Sequence, residues 1–311
     1  MYGIEKILVP IDFSDPSKKA LSYGLSLAVE LNATLVLAHV VAYAVPLSYA
    51  YPVETNLMTK GQRDEIETQL RELVHSDFRE SLNSRFIVKE GNVEDTLLEI
   101  VSEEDVDLVV MGTHGRRRFE RWVMGSVTEH FVRRASVPVL SVSHLDSEHQ
   151  IAEPQPIPLR RLLYATGLDE TTGQPDRAMG MALKLAQEFS AELVVMHVMA
   201  DLELAYGSEY VPLDLEADKA RVRSRLNDRL ENELPGHALN DPRVSTELAE
   251  GVPYEQILAR AEEEKIDMII LNTHGKSGFE RALLGSTAER VIRGAHIPVL
   301  SVPPADGLSV A

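Results

Sequence analysis

Four residues set the chemistry this chain could do: Gly112, Gly115, Gly125 and Ser126, spaced as Gly-x2-Gly-x9-Gly-Ser. An apolar run, Leu108–Met111, precedes them, and a stretch with helical spacing, Ser126–Ala135, follows. A loop at the carboxyl end of a parallel strand, running into a helix start, is where open α/β sheets bind ligands. Glycine there admits positive φ and lets backbone N–H groups approach an anion with no Cβ in the way. The helix start adds unpaired N–H donors and the positive end of the dipole, which suits a phosphate. Ser126 contributes a hydroxyl, either to the phosphate or as an N-cap. Glycines that merely make turns are the plain alternative, but the full spacing between a strand and a helix favours the anion site.

Other signals point nowhere as clearly. Arg116, Arg117 and Arg118 could reach a γ-phosphate or could form a solvated loop pairing with Glu120. His114 and His274, inside the loops, fit loop packing or a backbone hydrogen bond better than catalysis, and His39 and His197 end matching strands as structural residues. Gly275-Lys276-Ser277 looks like the end of a Walker A loop, but Ile270 stands where the earlier glycine is required. No G-x-G-x-x-G argues against a dinucleotide site, and the turn Ile11-Asp12-Phe13-Ser14 lacks the glycine-rich loop of an adenylating synthetase. There is no G-x-S-x-G elbow, no paired-carboxylate motif and no zinc-ligand spacing. Tyr43, Tyr49 and Tyr51 fall in a long loop that could be a lid or a partner surface.

The composition narrows the class. The 311 residues are 44% hydrophobic and 26% charged, which suits about two globular domains, each able to bury a core. No cysteine is present, which excludes disulfides and fits a reducing, cytoplasmic setting. The start of the chain shows no signal-peptide pattern. The longest apolar run, Leu35–Leu47, is too short to span a bilayer, so no membrane partner is expected. The formal charge of −18 would repel a polyanion and disfavours nucleic acid. A small anion is still admissible, because screening acts over about 8 Å at physiological salt.

The sequence repeats itself. Residues 33–40, Ala-Thr-Leu-Val-Leu-Ala-His-Val, match residues 191–198, Ala-Glu-Leu-Val-Val-Met-His-Val. Glu90-Gly91-Asn92-Val93 answers Glu250-Gly251-Val252-Pro253, and Thr113-His114-Gly115 answers Thr273-His274-Gly275. Val137–Val142 answers Ile297–Val302 in the same order, so a domain has been duplicated. In the first copy strands are expected at Lys6–Pro10, Leu35–Val40, Arg85–Lys89, Leu108–Met111 and Val137–Val142. Helices are expected at Pro16–Leu31, Gly61–Glu80, Val93–Glu103 and Ser126–Ala135. Apolar strands alternating with helices imply a mainly parallel five-stranded open sheet in each copy, covered on both faces. The domains are placed at 1–145 and 159–304, with the proline-bearing segment 146–158 as linker.

Gly112-x2-Gly115-x9-Gly125-Ser126 resembles the ATP-binding signature of the universal stress protein family, and Val9-Pro10-Ile11-Asp12 and His39-Val40 resemble the same family. The resemblance covers the chain twice, the linker excepted. It implies the Rossmann-like fold of the adenine-nucleotide alpha-hydrolase type and adenine-nucleotide binding. Carried over, Pro10, Asp12 and Val40 lie at the adenosine, and Met111, Gly112, Gly115, Arg116, Gly125, Ser126 and Val127 at the ribose and phosphates. ATP with Mg²⁺ or Mn²⁺ is the implied ligand, and nucleotide-dependent regulation of the stress response, through a protein partner, the implied role. The rivals are a slow ATPase or self-phosphorylating protein, with Ser126 as a conceivable acceptor, and a module for a non-nucleotide ligand in the second copy.

That second copy departs from the signature. Glycine stands at 167 where the first copy has Asp12, and Asn272 replaces Gly112, while Gly275, Gly285, Ser286 and Thr287 keep the rest of the loop. Asparagine tolerates the left-handed region, so the loop is expected to survive and the second site to bind more weakly. The apolar last strands would each be an exposed sheet edge in an isolated domain. Their pairing into an internal pseudo-dimer is therefore expected; further association into a homodimer is admissible, but nothing in the sequence fixes it.

Overall fold

The structure, a computed structural model, describes residues 3–42, 58–76, 78, 82–113, 125–143, 157–167, 176–199, 215–233, 241–273 and 284–304. The chain divides into two compact units, Gly3–Ile157 and Pro158–Ala311. In the first, the described elements are β1 (Lys6–Pro10), α1 (Asp15–Glu30), β2 (Thr34–Ala42), α2 (Lys60–Glu72), β3 (Ser84–Gly91), α3 (Val93–Glu103), β4 (Leu108–Gly112), α4 (Ser126–Arg134) and β5 (Val139–Val142). In the second they are β6 (Arg161–Thr166), α5 (Arg177–Glu188), β7 (Glu192–Met199), α6 (Leu215–Glu233), β8 (Val244–Glu250), α7 (Pro253–Glu263), β9 (Met268–Asn272), α8 (Ser286–Gly294) and β10 (Val299–Val302).

The first unit orders its strands β3-β2-β1-β4-β5 and the second β8-β7-β6-β9-β10, with parallel neighbours throughout the pairings within each unit. Ile7, Leu8 and Val9 in β1 are all buried, the unbroken apolar run of a strand covered on both faces. Right-handed crossovers from β1 to β2 to β3 place α1 and α2 on one face. The chain then returns past β1 to β4 and β5, which places α3 and α4 on the other. This reversal opens a crevice between the carboxyl ends of β1 and β4, and of β6 and β9 in the second unit.

Local chemistry shifts several element ends from their expected places. Ser14 caps α1 by accepting from the Ser17 N–H, so the helix starts at Asp15, with Pro16 in its first turn. Helix α2 opens with a Thr59/Gln62 capping box and ends at Glu72, well short of Glu80. The helix breaks at Leu73–His75; Ser76 and Phe78 are helical again, and Leu82 N donates to Phe78 O at 2.8 Å. Strand β5 begins at Val139 rather than Val137: Pro138 has no N–H to give the ladder, though its carbonyl accepts from Val109 N at 3.0 Å. The segment expected as linker is not all linker. Ile157 is buried, and its N–H donates to the Ser26 hydroxyl on α1.

Each unit also pins the start of its central strand with a carboxylate. Asp107 Oδ2 accepts from Glu5 N at 2.8 Å and Lys6 N at 2.9 Å. Asp267 Oδ2 does the same for Arg160 N at 2.7 Å and Arg161 N at 2.8 Å. Replacing Asp107 with alanine should therefore lower stability by about 1–2 kcal/mol, the value of charge-assisted bonds at a half-exposed site. Urea unfolding of Asp107→Ala and Asp267→Ala, followed by fluorescence and circular dichroism, checks this; an unchanged midpoint in both would refute it.

Candidate functional site

The crevice residues of the first unit are set by the end of β1. Pro10 is the last residue of that strand, and Ile11 N still donates to Ala38 O at 2.8 Å. The chain then turns sharply. Asp12 Oδ1 accepts from Ser14 N at 3.0 Å and from the Ser14 hydroxyl, an Asx turn that fixes the carboxylate at the mouth of the crevice. Phe13, between them, sits at φ 65°, a left-handed conformation uncommon for a bulky residue. Its ring leans on the His39 imidazole at 5.0 Å. His39 Nδ1 lies 2.6 Å from Ile11 O. A carbonyl only accepts, so Nδ1 carries the proton. Val40 follows on β2, half-buried, and Met111 is buried at the end of β4.

The opposite wall is built by β4 and α4. Thr113 N donates to Val142 O at 2.9 Å, and Gly125 N donates to Thr113 O at 2.5 Å, which brings the two ends of the glycine loop together. The Thr128 hydroxyl donates to Gly112 O at 2.8 Å. The N-cap of α4 is Gly125, not Ser126; Ser126 is the first helical residue, exposed, and Val127 behind it is half-buried. No side chain caps this helix, whereas Ser14, Thr59 and Asn92 cap α1, α2 and α3. The cap residue thus offers the first-turn N–H groups of α4 no side-chain acceptor, and they can serve an anion. Gly115, Arg116 and His114 lie outside the described residues, as do Tyr43, Tyr49 and Tyr51.

Of the two reasons expected for glycine in this loop, positive φ does not apply at Gly112. Among the described glycines only Gly91 and Gly251 have positive φ. At Gly112 the constraint is space: a Cβ would stand 2.8 Å from Pro16 O and 2.9 Å from Pro16 C, in the first turn of α1.

In the second unit His197 Nδ1 lies 2.8 Å from Thr166 O, as His39 does from Ile11 O, which makes Gly167 the structural counterpart of Asp12. A Cβ on Gly167 would meet no atom of the described residues within 4 Å. Gly285 caps α8 with the φ and ψ of Gly125, again with no side-chain cap, and its N–H donates to Thr273 O at 2.7 Å. Ser286 and Thr287 open that helix; Gly275 lies outside the described residues. Asn272 is not left-handed either, so its tolerance of positive φ plays no part. Its side chain instead donates to Asp176 Oδ1 at 3.1 Å. Asp176 caps α5, accepting from Ala178 N at 3.1 Å and Met179 N at 3.2 Å. It also takes the Tyr164 hydroxyl and pairs with Arg229 of α6 at 3.1 Å. Sequence reasoning missed this buried cluster. Asp176 was legible as a helix cap, but nothing in an apolar strand flags Tyr164 as its partner.

Among the described residues no group of three or more His, Asp or Glu could hold a metal ion, and no helix is long and apolar enough to cross a membrane. The fold and these crevices define a tandem pair of open-sheet α/β domains of the Rossmann-like class. A sequence model of the universal stress protein family matches residues 3–143 and again 159–303, and the chain belongs to that family. It is similar to universal stress protein Rv2005c of Mycobacterium tuberculosis, 27% identical over 302 residues, covering 94% of this chain and 95% of that one. Universal stress protein MJ0531 of Methanocaldococcus jannaschii is 38% identical over 125 residues, covering 39% of this chain and 70% of that one. The fold is shared with the crystal structure of a universal stress protein from Archaeoglobus fulgidus (TM-score 0.64, 20% identity, 96% of this chain and 98% of that one).

Two outcomes follow from these networks. In their neutral form His39 and His197 should both carry the proton on Nδ1, which nitrogen-15 correlation spectra read directly; a neutral Nε2–H tautomer at either would contradict the geometry. Burial, followed by the Asp176 carboxylate, holds the Tyr164 phenol well above its usual range. A raised folded-state value means the stabilisation is complete below the unfolded value, about 10, and is lost as pH rises through the folded one. Alkaline difference spectra of Tyr164→Phe should match the native protein until it unfolds.

Proposed function

We propose that the first domain binds ATP, with Pro10, Asp12 and Val40 at the adenosine and Met111, Gly112, Gly115, Arg116, Gly125, Ser126 and Val127 at the ribose and phosphates. Mg²⁺ or Mn²⁺ accompanies the triphosphate. The observation that carries this reading is the uncapped start of α4, behind a glycine loop whose ends are tied by Gly125 N and Thr113 O. Strand order reverses between β1, whose end leads to Asp12, and β4, whose end leads into the loop. One wall offers N–H donors to phosphate and the other an acceptor to ribose or adenine hydrogens, the two ends of a nucleotide. The role that suits such a site in this family is regulation of the stress response through nucleotide-dependent partner binding. The second domain, with Gly167 for Asp12, binds adenine nucleotide more weakly.

Calorimetry of the full chain with Mg-ATP tests the reading. Asp12→Ala should weaken binding about ten- to a hundredfold, the loss of about 1.5–3 kcal/mol of charge-assisted hydrogen bonding. Gly115→Val should weaken it about tenfold or more by placing a Cβ between backbone and phosphate. Unchanged affinity in both variants, or no binding by the native chain, would sink the assignment. Analysis of the bound nucleotide separates binding from turnover: retained ATP supports the regulator, accumulation of ADP the slow hydrolase.

A further inference from the structure

The two departures of the second domain, Gly167 for Asp12 and Asn272 for Gly112, look independent in the sequence. The structure links them through the helix that follows the first strand. Helices α1 and α5 end equivalently: each is followed by a left-handed residue, Asn32 at φ 50° and Ser190 at φ 52°, and then an alanine that leads into the next strand. Their starts differ. Helix α1 has 16 residues and α5 only 12, so α5 begins about one turn later. The missing turn is the one that, in the first domain, carries Pro16 against Gly112. In the second domain the side chain of Asn272 reaches from the end of β9 to Asp176 at the shortened start. Tyr164 and Arg229 hold the same carboxylate, which is buried.

We infer that the residue closing the fourth strand of each domain, Gly112 or Asn272, is a specificity-determining position that sets where this helix begins and so whether the domain can present an aspartate to a nucleotide. The inference rests on the nucleotide reading of the first domain. The chain of contacts is short. With no Cβ at 112, Pro16 closes on β4; the turn that contains it is capped by Ser14, and Ser14 N and its hydroxyl hold Asp12 Oδ1. A side chain at 112 meets main-chain atoms of Pro16, which a rotamer change cannot move aside. The helix start must retreat, and the Asx turn that aims Asp12 goes with it. In the second domain the retreat is made permanent. Asp176 becomes the cap, its carboxylate turned inward to Asn272, Tyr164 and Arg229, and the strand end is left with Gly167. Gly112 is thus a positioning residue for Asp12, and the Asn272–Asp176–Tyr164–Arg229 cluster is the device that commits the second domain away from adenosine recognition.

The experiment uses the full chain and two readouts, amide hydrogen exchange and Mg-ATP calorimetry. Gly112→Asn and the milder Gly112→Ala should speed exchange at the Ser17 and Lys18 amides, which close the first turn of α1 on Ser14, and raise the Kd at least tenfold. Asn272→Gly should speed exchange at Ala178 and Met179, the amides held by Asp176, without tightening ATP binding by the second domain, because position 167 has no carboxylate. Unchanged exchange at Ser17 and Lys18 in a folded Gly112 variant overturns the inference. So does faster exchange there with undiminished affinity. If neither Gly112 variant folds, the Asn272→Gly arm decides, and unchanged exchange at Ala178 and Met179 overturns it. Failure of the native chain to bind Mg-ATP is a separate result: it refutes the nucleotide reading, and with it the specificity role, while the exchange data still report whether position 112 governs the helix start.

Discussion

Pro16 carbonyl oxygen occupies the space that a side chain at position 112 would need, and much of the first domain is arranged around that approach. Helix α1 lies over β1 and β4 with its first turn against the end of β4. The same turn anchors the Ser14 cap, which in turn fixes Asp12 and throws Phe13 into a left-handed conformation beside His39. Backbone strain of this kind persists only where surrounding structure over-determines it, and here the sheet, the cap and the imidazole all do so.

The second domain provides an internal control, since the same fold is built twice from diverged residues. It keeps the parts that hold the sheet together: the carboxylate that pins the central strand, the histidine bonded to the carbonyl before the turn, and the glycine cap of the last helix. What it changes lies at one corner, where burial of Asp176 has to be offset by hydrogen bonds and an opposite charge. A buried carboxylate with such partners is costly to unmake one residue at a time, because each single loss leaves the others unsatisfied. The Thr128 hydroxyl that bonds to Gly112 O has also gone, replaced by Ala288, so the corner has changed on both sides.

The fold was legible because its signals are periodic and occur twice. Apolar runs such as Ile7–Val9 and Leu108–Met111 read as buried parallel strands, and the repeat fixed their order. Glycine spacing placed the crevice, because the loop and the helix start are contiguous in sequence. What could not be read were contacts between elements far apart in the chain. That Gly112 faces Pro16, or that Tyr164, Asp176, Arg229 and Asn272 meet, depends on helix placement, which no local pattern encodes. The glycine at 112 was recognised, but the positive φ expected of it is absent and its contact with Pro16 was not foreseen. Positive φ and close approach leave the same letter in a sequence, and only coordinates separate them.

The bond from Gly125 N to Thr113 O, and its counterpart from Gly285 N to Thr273 O, ties each glycine loop at its base with main-chain atoms alone. No side chain takes part, so substitution within the intervening stretch leaves the tie in place. The end of the fourth strand and the start of the last helix of each domain are therefore joined by atoms that every residue carries. The same junction stands in both copies although their side chains have diverged, which is how a duplicated domain can keep its sheet while its crevice changes.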